Sequence, residues 1–429
     1  MREDQSSKKT SGRIFYGWWI VAVCFLVLTF HSGCAFYSFG VFLEVWKDEF
    51  PASSVTAVSL PASLYLLMLG LTGPAIGRLT DRYGSKRFML GGAVIAGAGL
   101  MLLSQASEVW HLYVLYFMIG IGMSGAGIVP VSAVVSKWFT RRRGTAMGIA
   151  MAGIALGALL ITPLTAYLIQ SISWQVAFTV LGVLTWVFII PTVMLVMKSR
   201  PEDMGLLPDG AKPIEGEAVP ESIPEAIDNV GEEGWTLSMA FRSLPFWLLL
   251  ATFFIVNAAL VGVLQHEVSF LEEMGIPMTT AAFALGLTGG IGGVGKLAFG
   301  VLADRLSPKY TAILCISLLL VGQVILIMTQ SVAMVWVFVF VFGFALGGNI
   351  VLQPLVTGHF FGLASFGAIF GWVMLAGAVG GAVGPVLTGA LYDASGSYSL
   401  AFFIYLVAYV VAIVALLFAR RPKLRNAAT

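Results

Sequence analysis

Charged residues are scarce in this chain. Only 11% of its 429 residues are Asp, Glu, Lys or Arg, whereas 58% are hydrophobic and the mean hydropathy is +0.92. A soluble domain could not bury so much apolar surface in one core, so a soluble globular fold is excluded and lipid must form part of the solvent. The net charge of +2 gives no case for nucleic-acid binding.

Cysteine and enzyme motifs are also scarce or absent. The three cysteines, Cys24, Cys34 and Cys315, lie in apolar segments, and their spacing fits neither a disulfide framework nor a metal site. We expect them to be small packing residues. The sequence has no phosphate-binding P-loop, no HExxH motif and no nucleophile elbow in a soluble domain. We therefore predict no enzyme activity, no cofactor and no bound metal.

Long apolar segments are what the chain does contain. Twelve of them approach or exceed the roughly 20 residues that cross about 30 Å of hydrocarbon as a helix. Barrel strands alternate in polarity and are about half as long. The segments therefore predict an all-α membrane protein with twelve transmembrane helices. The predicted spans, numbered 1 to 12, are 15–43, 53–78, 88–105, 110–137, 144–169, 174–197, 243–271, 279–304, 309–329, 332–358, 365–391 and 398–419.

Basic residues are distributed unequally between the two ends of these spans. They fall in the even-numbered loops and the termini, and only Lys47 lies in an odd-numbered loop. Because loops rich in Lys and Arg stay in the cytoplasm, we predict that both termini are cytoplasmic. Span 1 is too long for the apolar region of a signal peptide, so we expect it to be retained.

One polar segment divides the chain. Residues 198–241 contain five prolines and ten acidic residues, a composition that cannot bury enough apolar surface to fold by itself. We predict a cytoplasmic linker there, between an N-terminal six-helix bundle at 1–197 and a C-terminal six-helix bundle at 242–429. We expect the linker to be a flexible tether.

The two halves repeat each other at a constant offset. Residues 77–82, Gly-Arg-Leu-Thr-Asp-Arg, return as 300–305, Gly-Val-Leu-Ala-Asp-Arg, which is 223 positions later. Gly144 returns as Gly367 at the same offset. Parallel repeats of this kind are related by a pseudo-two-fold axis, and they place the solute site between the halves near the membrane midplane.

A family resemblance follows from three segments. Residues 73–87, Gly-Pro-Ala-Ile-Gly-Arg-Leu-Thr-Asp-Arg-Tyr-Gly-Ser-Lys-Arg, look like the signature loop between helices 2 and 3 of the major facilitator superfamily. Within it the chain resembles the bacterial monocarboxylate and oxalate/formate transporter group, through Phe-Tyr-Gly-Trp-Trp at 15–19 and Gly-Gly-Ala-Val-Gly-Pro at 380–385. The resemblance implies the major facilitator fold, a monomer, a small carboxylate as substrate and a bacterial inner (plasma) membrane.

The resemblance also draws attention to a cation in span 8. The family's substrate-anchoring residue is usually arginine, and the matching position, followed by Leu-Ala-Phe-Gly300, holds Lys296. A charge within the membrane is costly unless it faces a cavity or a partner, so we predict that Lys296 binds the substrate and takes part in proton coupling. The alternative is a lysine that snorkels to the cytoplasm or pairs with Asp304. Span 11 lacks the second cation of the oxalate carriers, which favours a monocarboxylate.

Other polar side chains in the spans supply further candidates, because phenols can bind a carboxylate and imidazoles can change charge near neutral pH. The alternative for the uncharged groups is helix packing with an interhelical hydrogen bond, and for Glu267 a position at the outer interface. The predicted substrate-binding residues are Lys296, Tyr116, Tyr37, Tyr113, His31 and Asn349, and those for proton coupling are Lys296, His266 and Glu267. Asn257, Gln265 and Gln353 share the cavity hypothesis, with polar contacts between helices as the favoured alternative.

Two aspartates near the cytoplasmic ends predict a gate. Asp81 in the signature segment and Asp304 in its copy can each pair with arginines and with the N-terminus of a neighbouring helix. We predict that they form a cytoplasmic gate together with Arg78, Arg82 and Arg305.

These features favour a proton-coupled symporter of a small monocarboxylate, lactate-like or pyruvate-like, that works by alternating access. The alternatives are a proton-antiport exporter of drugs or metabolites and an anion exchanger of the oxalate/formate type. Such exporters usually carry an arginine in helix 4, four residues before a glycine. Here Tyr116 stands at that position before Gly120, which counts against export.

Overall fold

The computed structural model describes residues 15–50, 55–210 and 235–421. Over these ranges the secondary structure is helical, without a β-strand. Twelve helical segments in them are long and apolar enough to cross a membrane, which confirms the predicted all-α fold class. Spans 1 to 12 are Gly17–Leu43, Ala57–Tyr83, Ser85–Leu103, Val109–Trp138, Arg143–Ser171, Trp174–Val196, Leu244–Glu273, Phe283–Arg305, Pro308–Ile327, Val332–Phe361, Phe366–Ser395 and Ser399–Phe418.

Span 2 runs further than predicted. The prediction ended span 2 at residue 78, but the helix Val55–Tyr83 continues through the signature residues, which are therefore helical rather than a loop. Charged side chains beyond the apolar core do not end a helix. This one ends because Gly84 adopts a φ of 83°, which favours glycine. In the copy, the helix Met278–Arg305 likewise includes Asp304.

Span 1 departs from a regular α-helix in its second half. The helix Gly17–His31 is followed by the π-helical stretch Ser32–Tyr37 and then by the helix Phe39–Glu49. Ser38 stabilises the junction, because its hydroxyl donates to the carbonyl of Gly33 at 2.7 Å. Single π-helical turns are frequent at functional sites. Span 4 is also composite, with the helices Val109–Gly125 and Ile128–Trp138.

The same neighbours recur in both halves. In the N-terminal half, span 1 packs against span 5, span 2 against span 4, and span 3 against spans 4 and 6. In the C-terminal half, span 7 packs against span 11, span 8 against span 10, and span 9 against spans 10 and 12. The halves meet chiefly through span 2 with span 11 and span 5 with span 8, and less extensively through span 4 with span 11 and span 5 with span 10. The contacts follow the pseudo-two-fold relation predicted from the sequence repeat.

The first part of the predicted linker is docked. Asp209 accepts hydrogen bonds from the backbone N–H groups of Thr140 and Arg141 at 2.8 and 2.6 Å, in the loop between spans 4 and 5. Residues 198–210 are therefore not a free tether, because a local anion fills the concavity that these N–H groups form. Residues 211–234 lie outside the described part of the chain, and the predicted boundaries at 198 and 241 stay predictions.

Candidate functional site

Two carboxylates connect the halves at the end of the molecule that carries the basic loops, here called the basic end. Asp81 of span 2 accepts hydrogen bonds from the backbone N–H groups of Gly367 and Ala368, both at 2.9 Å. These groups belong to the first turn of span 11, where N–H groups have no partner inside the helix and the helix dipole is positive. Asp81 therefore caps a helix of the other half.

The copy of this arrangement lies at span 5. Asp304 of span 8 accepts hydrogen bonds from the backbone N–H groups of Gly144 at 2.5 Å and Thr145 at 2.7 Å, and from the Thr145 hydroxyl. We call the two arrangements the Asp81 latch and the Asp304 latch. Both are formed here, so the basic end is closed.

Glycines permit the close approach that the latches need. A Cβ added at Gly77 would collide with the carbonyl oxygen of Gly367, and one at Gly300 would collide with that of Gly144. Any side chain at these positions would push span 2 from span 11 or span 5 from span 8. The glycine pairs therefore allow the same close helix contact at both latches.

The predicted gate arginines lie at the same end but are solvent-exposed. Arg78, Arg82 and Arg305 are each exposed, and the Arg82 guanidinium lies 5.1 Å from the ring centre of Tyr83. Exposed charges contribute little to stability. In the described helices the hydrogen bonds across the halves come from the aspartates, and the gate role of the arginines stays a prediction.

Lys296 lies between the two halves. Its neighbours on span 8 show its direction: a Cβ at Gly292 would lie 2.9 Å from Leu346 of span 10, and one at Gly293 would lie 3.2 Å from Ala155 of span 5. Residues three and four apart share a helix face. Lys296 therefore points between span 10 and span 5, towards the interface of the halves.

The Lys296 side chain is buried and its ammonium is unpaired. The residue is 3% exposed, and no hydrogen bond or ion pair to it is found in the described part of the chain. Both oxygens of Asp304 accept instead from the N-terminus of span 5. The alternative of a lysine that snorkels or pairs with Asp304 is therefore wrong for this conformation.

The repeat makes the position of Lys296 more informative. The carbonyl oxygen of Lys296 lies 2.7 Å from a Cβ built at Gly148, and that of Gly73 lies 2.5 Å from one built at Gly371. Gly73 precedes Lys296 by 223 positions. The two residues have the same backbone environment, so the packing does not require a long side chain there.

His31 lies beside the interruption of span 4. It is 7% exposed, its Nδ1 atom has no hydrogen-bond partner, and its ring carbon Cε1 lies 3.1 Å from a Cβ built at Gly127. The alternative is a histidine that forms a hydrogen bond between helices, but Nδ1 of His31 forms no such bond. The glycine provides the space for the ring.

Tyr116 belongs to an aromatic cluster in the N-terminal half. It is fully buried, and its ring meets those of Phe39 and Trp46 edge-on with centres 5.4 and 6.0 Å apart. Its hydroxyl, the Trp46 indole nitrogen and the hydroxyl of nearby Tyr65 all lack a partner. Sequence reasoning missed Tyr65, and the signal that could have found it is a phenol in the apolar part of span 2.

Tyr37 and Tyr113 are placed differently from Tyr116. Tyr37 ends the π-helical stretch of span 1, is 39% exposed and packs against Phe36 with ring centres 5.0 Å apart. Tyr113 is half-buried, one turn before Tyr116 in span 4. Their assignment to the substrate site stays a prediction.

Amide side chains converge in the C-terminal half. A Cβ built at Gly377 of span 11 would lie 3.1 Å from Nδ2 of Asn257 and 3.8 Å from Oε1 of Gln353. Spans 7, 10 and 11 thus bring two amides to one glycine, which fits both the cavity hypothesis and the alternative of polar contacts between helices. Asn349, one turn before Gln353, is 3% exposed.

Glu267 is a second ionisable residue that is buried in the C-terminal half. It is fully buried in span 7, and neither carboxyl oxygen has a hydrogen-bond partner. Glu267 lies six residues before the end of the helix Leu244–Glu273, so the alternative position near the outer interface stays open. His266 next to it contacts the carbonyl of Gly262 through Nδ1 at 3.2 Å, and its ring centre lies 5.3 Å from that of Tyr398.

Comparisons with known proteins agree on the class of protein. A family model described as "Major Facilitator Superfamily" matches residues 25–385 and 291–429. "Monocarboxylate transporter 12" of Rattus norvegicus is 28% identical over 425 residues, which cover 95% of this chain and 86% of the relative. "Monocarboxylate transporter 13" of Bos taurus is 25% identical over 398 residues, which cover 90% and 85%.

Solved structures agree on the fold. The fucose:proton symporter of E. coli matches with a TM-score of 0.69 at 14% identity, covering 94% of this chain and 100% of the other. At that identity the likeness concerns the fold alone. The family and these relatives are transporters rather than enzymes. The two curated relatives come from animals, so the bacterial membrane stays a prediction.

Proposed function

The chain belongs to the major facilitator superfamily, as its sequence resemblance predicted, and from this premise we propose that it carries a small monocarboxylate together with a proton by alternating access. The protein is a multi-pass membrane transporter of a small molecule. The substrate class draws support from the relatives, whose names describe monocarboxylate transporters. The observation that carries the proposal is the unpaired ammonium of the buried Lys296 side chain between the halves.

Lys296 supplies the anion anchor of the proposed site. A buried charge without a partner is costly, and an anionic ligand between span 5 and span 10 would repay part of that cost. A carboxylate bound there contacts both halves at once, which is the position that alternating access requires. The neutral donors of the N-terminal half, with Tyr116 and His31 foremost, would bind the remaining polar atoms of the substrate.

Glu267 carries the coupling proton in this proposal. A carboxyl group without any partner in a low-dielectric interior is accommodated with a proton rather than as a bare anion. One proton and one monocarboxylate anion together add no net charge to the protein. The loaded protein therefore meets a lower barrier to the conformational change than it would with the anion alone. His266, adjacent in sequence and half-buried, is the route by which the proton reaches Glu267.

The orientation and the conformational state follow from the same premise. The basic end faces the cytoplasm because Lys and Arg residues are retained on that side. With both latches formed, the proposed site opens away from the cytoplasm, ready to take up a solute and a proton from outside. The protein acts as a monomer, because each chain holds both halves of one site.

The test is uptake of radiolabelled mono- and dicarboxylates into proteoliposomes, with and without an inward proton gradient. We expect one monocarboxylate to accumulate and the gradient to stimulate it. Lys296→Gln should reduce uptake by at least about 100-fold, since an anchoring charge-assisted contact is worth about 3 kcal/mol in a buried site. Lys296→Arg should retain uptake, because it preserves the charge.

Arg87→Gln provides the matched control, since Arg87 is an exposed cation at the basic end. Normal uptake by Lys296→Gln would remove the anchor assignment. Uptake that requires a carboxylate inside the proteoliposomes and is not stimulated by the proton gradient would identify an exchanger. Absence of carboxylate uptake by the unaltered protein would overturn the substrate class.

A further inference from the structure

A cavity of about 290 Å³ lies beside the Asp304 latch at the basic end. Its walls come from both halves. Arg141, Arg143 and Gly144 precede or begin span 5, whereas Asp304 ends span 8 and His359 lies near the end of span 10. The cavity therefore exists in this form only while the two halves are in contact at this end.

Cations dominate the surroundings of this cavity. Arg143, Lys309 and Arg421 all lie within electrostatic reach of His359. Arg143 is held in place, because its Nε donates to the carbonyl of Phe139 at 3.0 Å. Arg141 adds a further exposed cation to the wall.

The nearby carboxylates are already engaged. Asp304 accepts from the backbone of Gly144 and Thr145, and Asp209 accepts from that of Thr140 and Arg141. Both carboxylates also lie within electrostatic reach of Arg143. Arg141, Arg143 and His359 line the cavity, and Lys309 and Arg421 lie close to His359, so positive charges outnumber negative ones among these described side chains.

The other latch provides an internal comparison. At an offset of 223, the residues that correspond to Arg141 and Arg143 are Ala364 and Phe366, and the one that corresponds to His359 is Ser136. The corresponding corner of the Asp81 latch thus lacks a cation at all three positions. The latch itself forms equally well in both corners, so it does not need these cations.

Lys309 is different and serves as a contrast. It donates to the carbonyl of Leu417 at 2.9 Å, and Lys86, its counterpart 223 positions earlier, donates to Met194 at 2.7 Å. Both lysines cap the end of a helix in the same way. A structural requirement therefore explains the lysine pair but leaves the cations of the cavity unexplained.

We propose that this cavity binds an anion with a phosphate group and that the bound anion holds the basic end closed. Guanidinium groups match phosphate oxygens in bidentate geometry, and the cavity presents two of them together with an imidazole. Because the ligands come from both halves, the anion binds the closed form and shifts the population towards it. The phosphate belongs either to a lipid headgroup or to a soluble molecule. The site is separate from Lys296 and does not depend on the transported solute.

The test uses the purified full-length chain in phosphatidylcholine nanodiscs. Inorganic phosphate and pyrophosphate are titrated against chloride at matched ionic strength, and a second set of nanodiscs contains phosphatidylglycerol. We expect the thermal unfolding midpoint to rise with ligand concentration, since a ligand that binds only the folded closed form stabilises it. The double variant Arg141→Ala with His359→Ser introduces the residues of the other corner and should lose the rise.

Arg87→Ala is the control and should keep the full rise, because Arg87 is exposed at the basic end and is not among the residues that line the cavity. Should the double variant fold poorly, Arg141→Gln alone, at an exposed position, should weaken the response by at least about threefold. A rise with soluble pyrophosphate identifies a free phosphate, and a rise with phosphatidylglycerol alone identifies a lipid headgroup. An equal rise in all variants, or none in the unaltered protein, overturns the site.

The conformational part of the proposal has a separate readout. Spin labels at Tyr83→Cys and Leu244→Cys lie at the basic end of opposite halves, at exposed positions outside the cavity, and the three native cysteines are buried. We expect the effective ligand to reduce the fraction of long label-to-label distances. An unchanged distribution at saturating ligand would overturn the closing effect.

Discussion

The two halves of this transporter share one framework and differ in the charges that they carry inside it. In both halves an aspartate caps the first turn of a helix in the other half, and paired glycines bring the same spans together. The N-terminal half contributes neutral buried groups, among them Tyr116 and His31, whereas the C-terminal half contributes Lys296 and Glu267. The repeated residues hold the halves together, and the residues that break the repeat are the ones to which we assign substrate binding and proton coupling in our proposal.

The glycine pairs should be equivalent, and this gives the largest expected effect. Gly77→Leu and Gly300→Leu each place a side chain against the backbone of the opposing span. Overpacking that cannot relax costs about 1–3 kcal/mol or more and prevents closure of the basic end. We expect both variants to lose proteoliposome uptake completely, and Gly91→Leu to keep it, because a Cβ at Gly91 meets nothing within 4 Å. Loss in only one of the pair would break the equivalence.

A substitution at Glu267 should separate proton coupling, which we assign to the C-terminal half, from substrate exchange. Glu267→Gln cannot release a proton, so we expect it to abolish stimulation of uptake by the proton gradient and to leave exchange of internal for external substrate within about threefold of the unaltered protein. His266→Gln, on the neighbouring half-buried side chain, should slow uptake while retaining its pH dependence. A Glu267→Gln variant that still responds to the gradient would move the proton to another residue.

The latches should contribute similarly to stability. Asp81→Asn and Asp304→Asn each keep the volume of the side chain but replace one acceptor with an amide that cannot accept from a backbone N–H group. Charge-assisted hydrogen bonds contribute about 1.5–3 kcal/mol, so each variant should lower the thermal unfolding midpoint by several degrees. The measurement is thermal unfolding in nanodiscs without phosphate. A midpoint that falls for Asp304→Asn alone would show that the corners differ in more than the cavity.

The smallest effect should come from the neutral donors of the N-terminal half. Tyr116→Phe removes one hydroxyl that has no partner in this conformation. If this hydroxyl binds the substrate, the loss of about 1 kcal/mol should raise the KM for uptake about fivefold with little change in the maximal rate. Tyr409→Phe is the control, because Tyr409 is likewise buried with an unpaired hydroxyl but lies in span 12. An unchanged KM for Tyr116→Phe would exclude the hydroxyl from the site.

The sequence could single out candidate residues for the site, but it could not predict what surrounds them. Lys296 could be selected because a cation in an apolar span is costly wherever it points. Its lack of a partner could not be predicted, because the sequence does not show which carboxylates of other helices lie near it. Only the packing of span 5 against span 8 gives the oxygens of Asp304 another partner.

The surroundings of three other residues could not be predicted either, because they too depend on packing between distant segments. Glu267 lies close enough to the end of its span for an interfacial position, and its burial depends on the neighbouring helices. Tyr65 was missed because a phenol in an apolar span is ordinary until its hydroxyl is found without a partner. The acidic, proline-rich composition around Asp209 correctly predicts a polar connection, but it carries no information on the loop that Asp209 caps.

The sequence by itself determined the fold class, the twelve spans, the repeat and the basic end. These follow from segment length, hydropathy, a constant offset and the side of the positive charges, which are properties of residues taken singly or in local runs. Only the tertiary structure decided which polar groups are paired. Pairing joins residues separated by up to 287 positions, so the lone ammonium of Lys296, the bare carboxyl of Glu267 and the cationic cavity beside Asp304 emerge only when the halves pack.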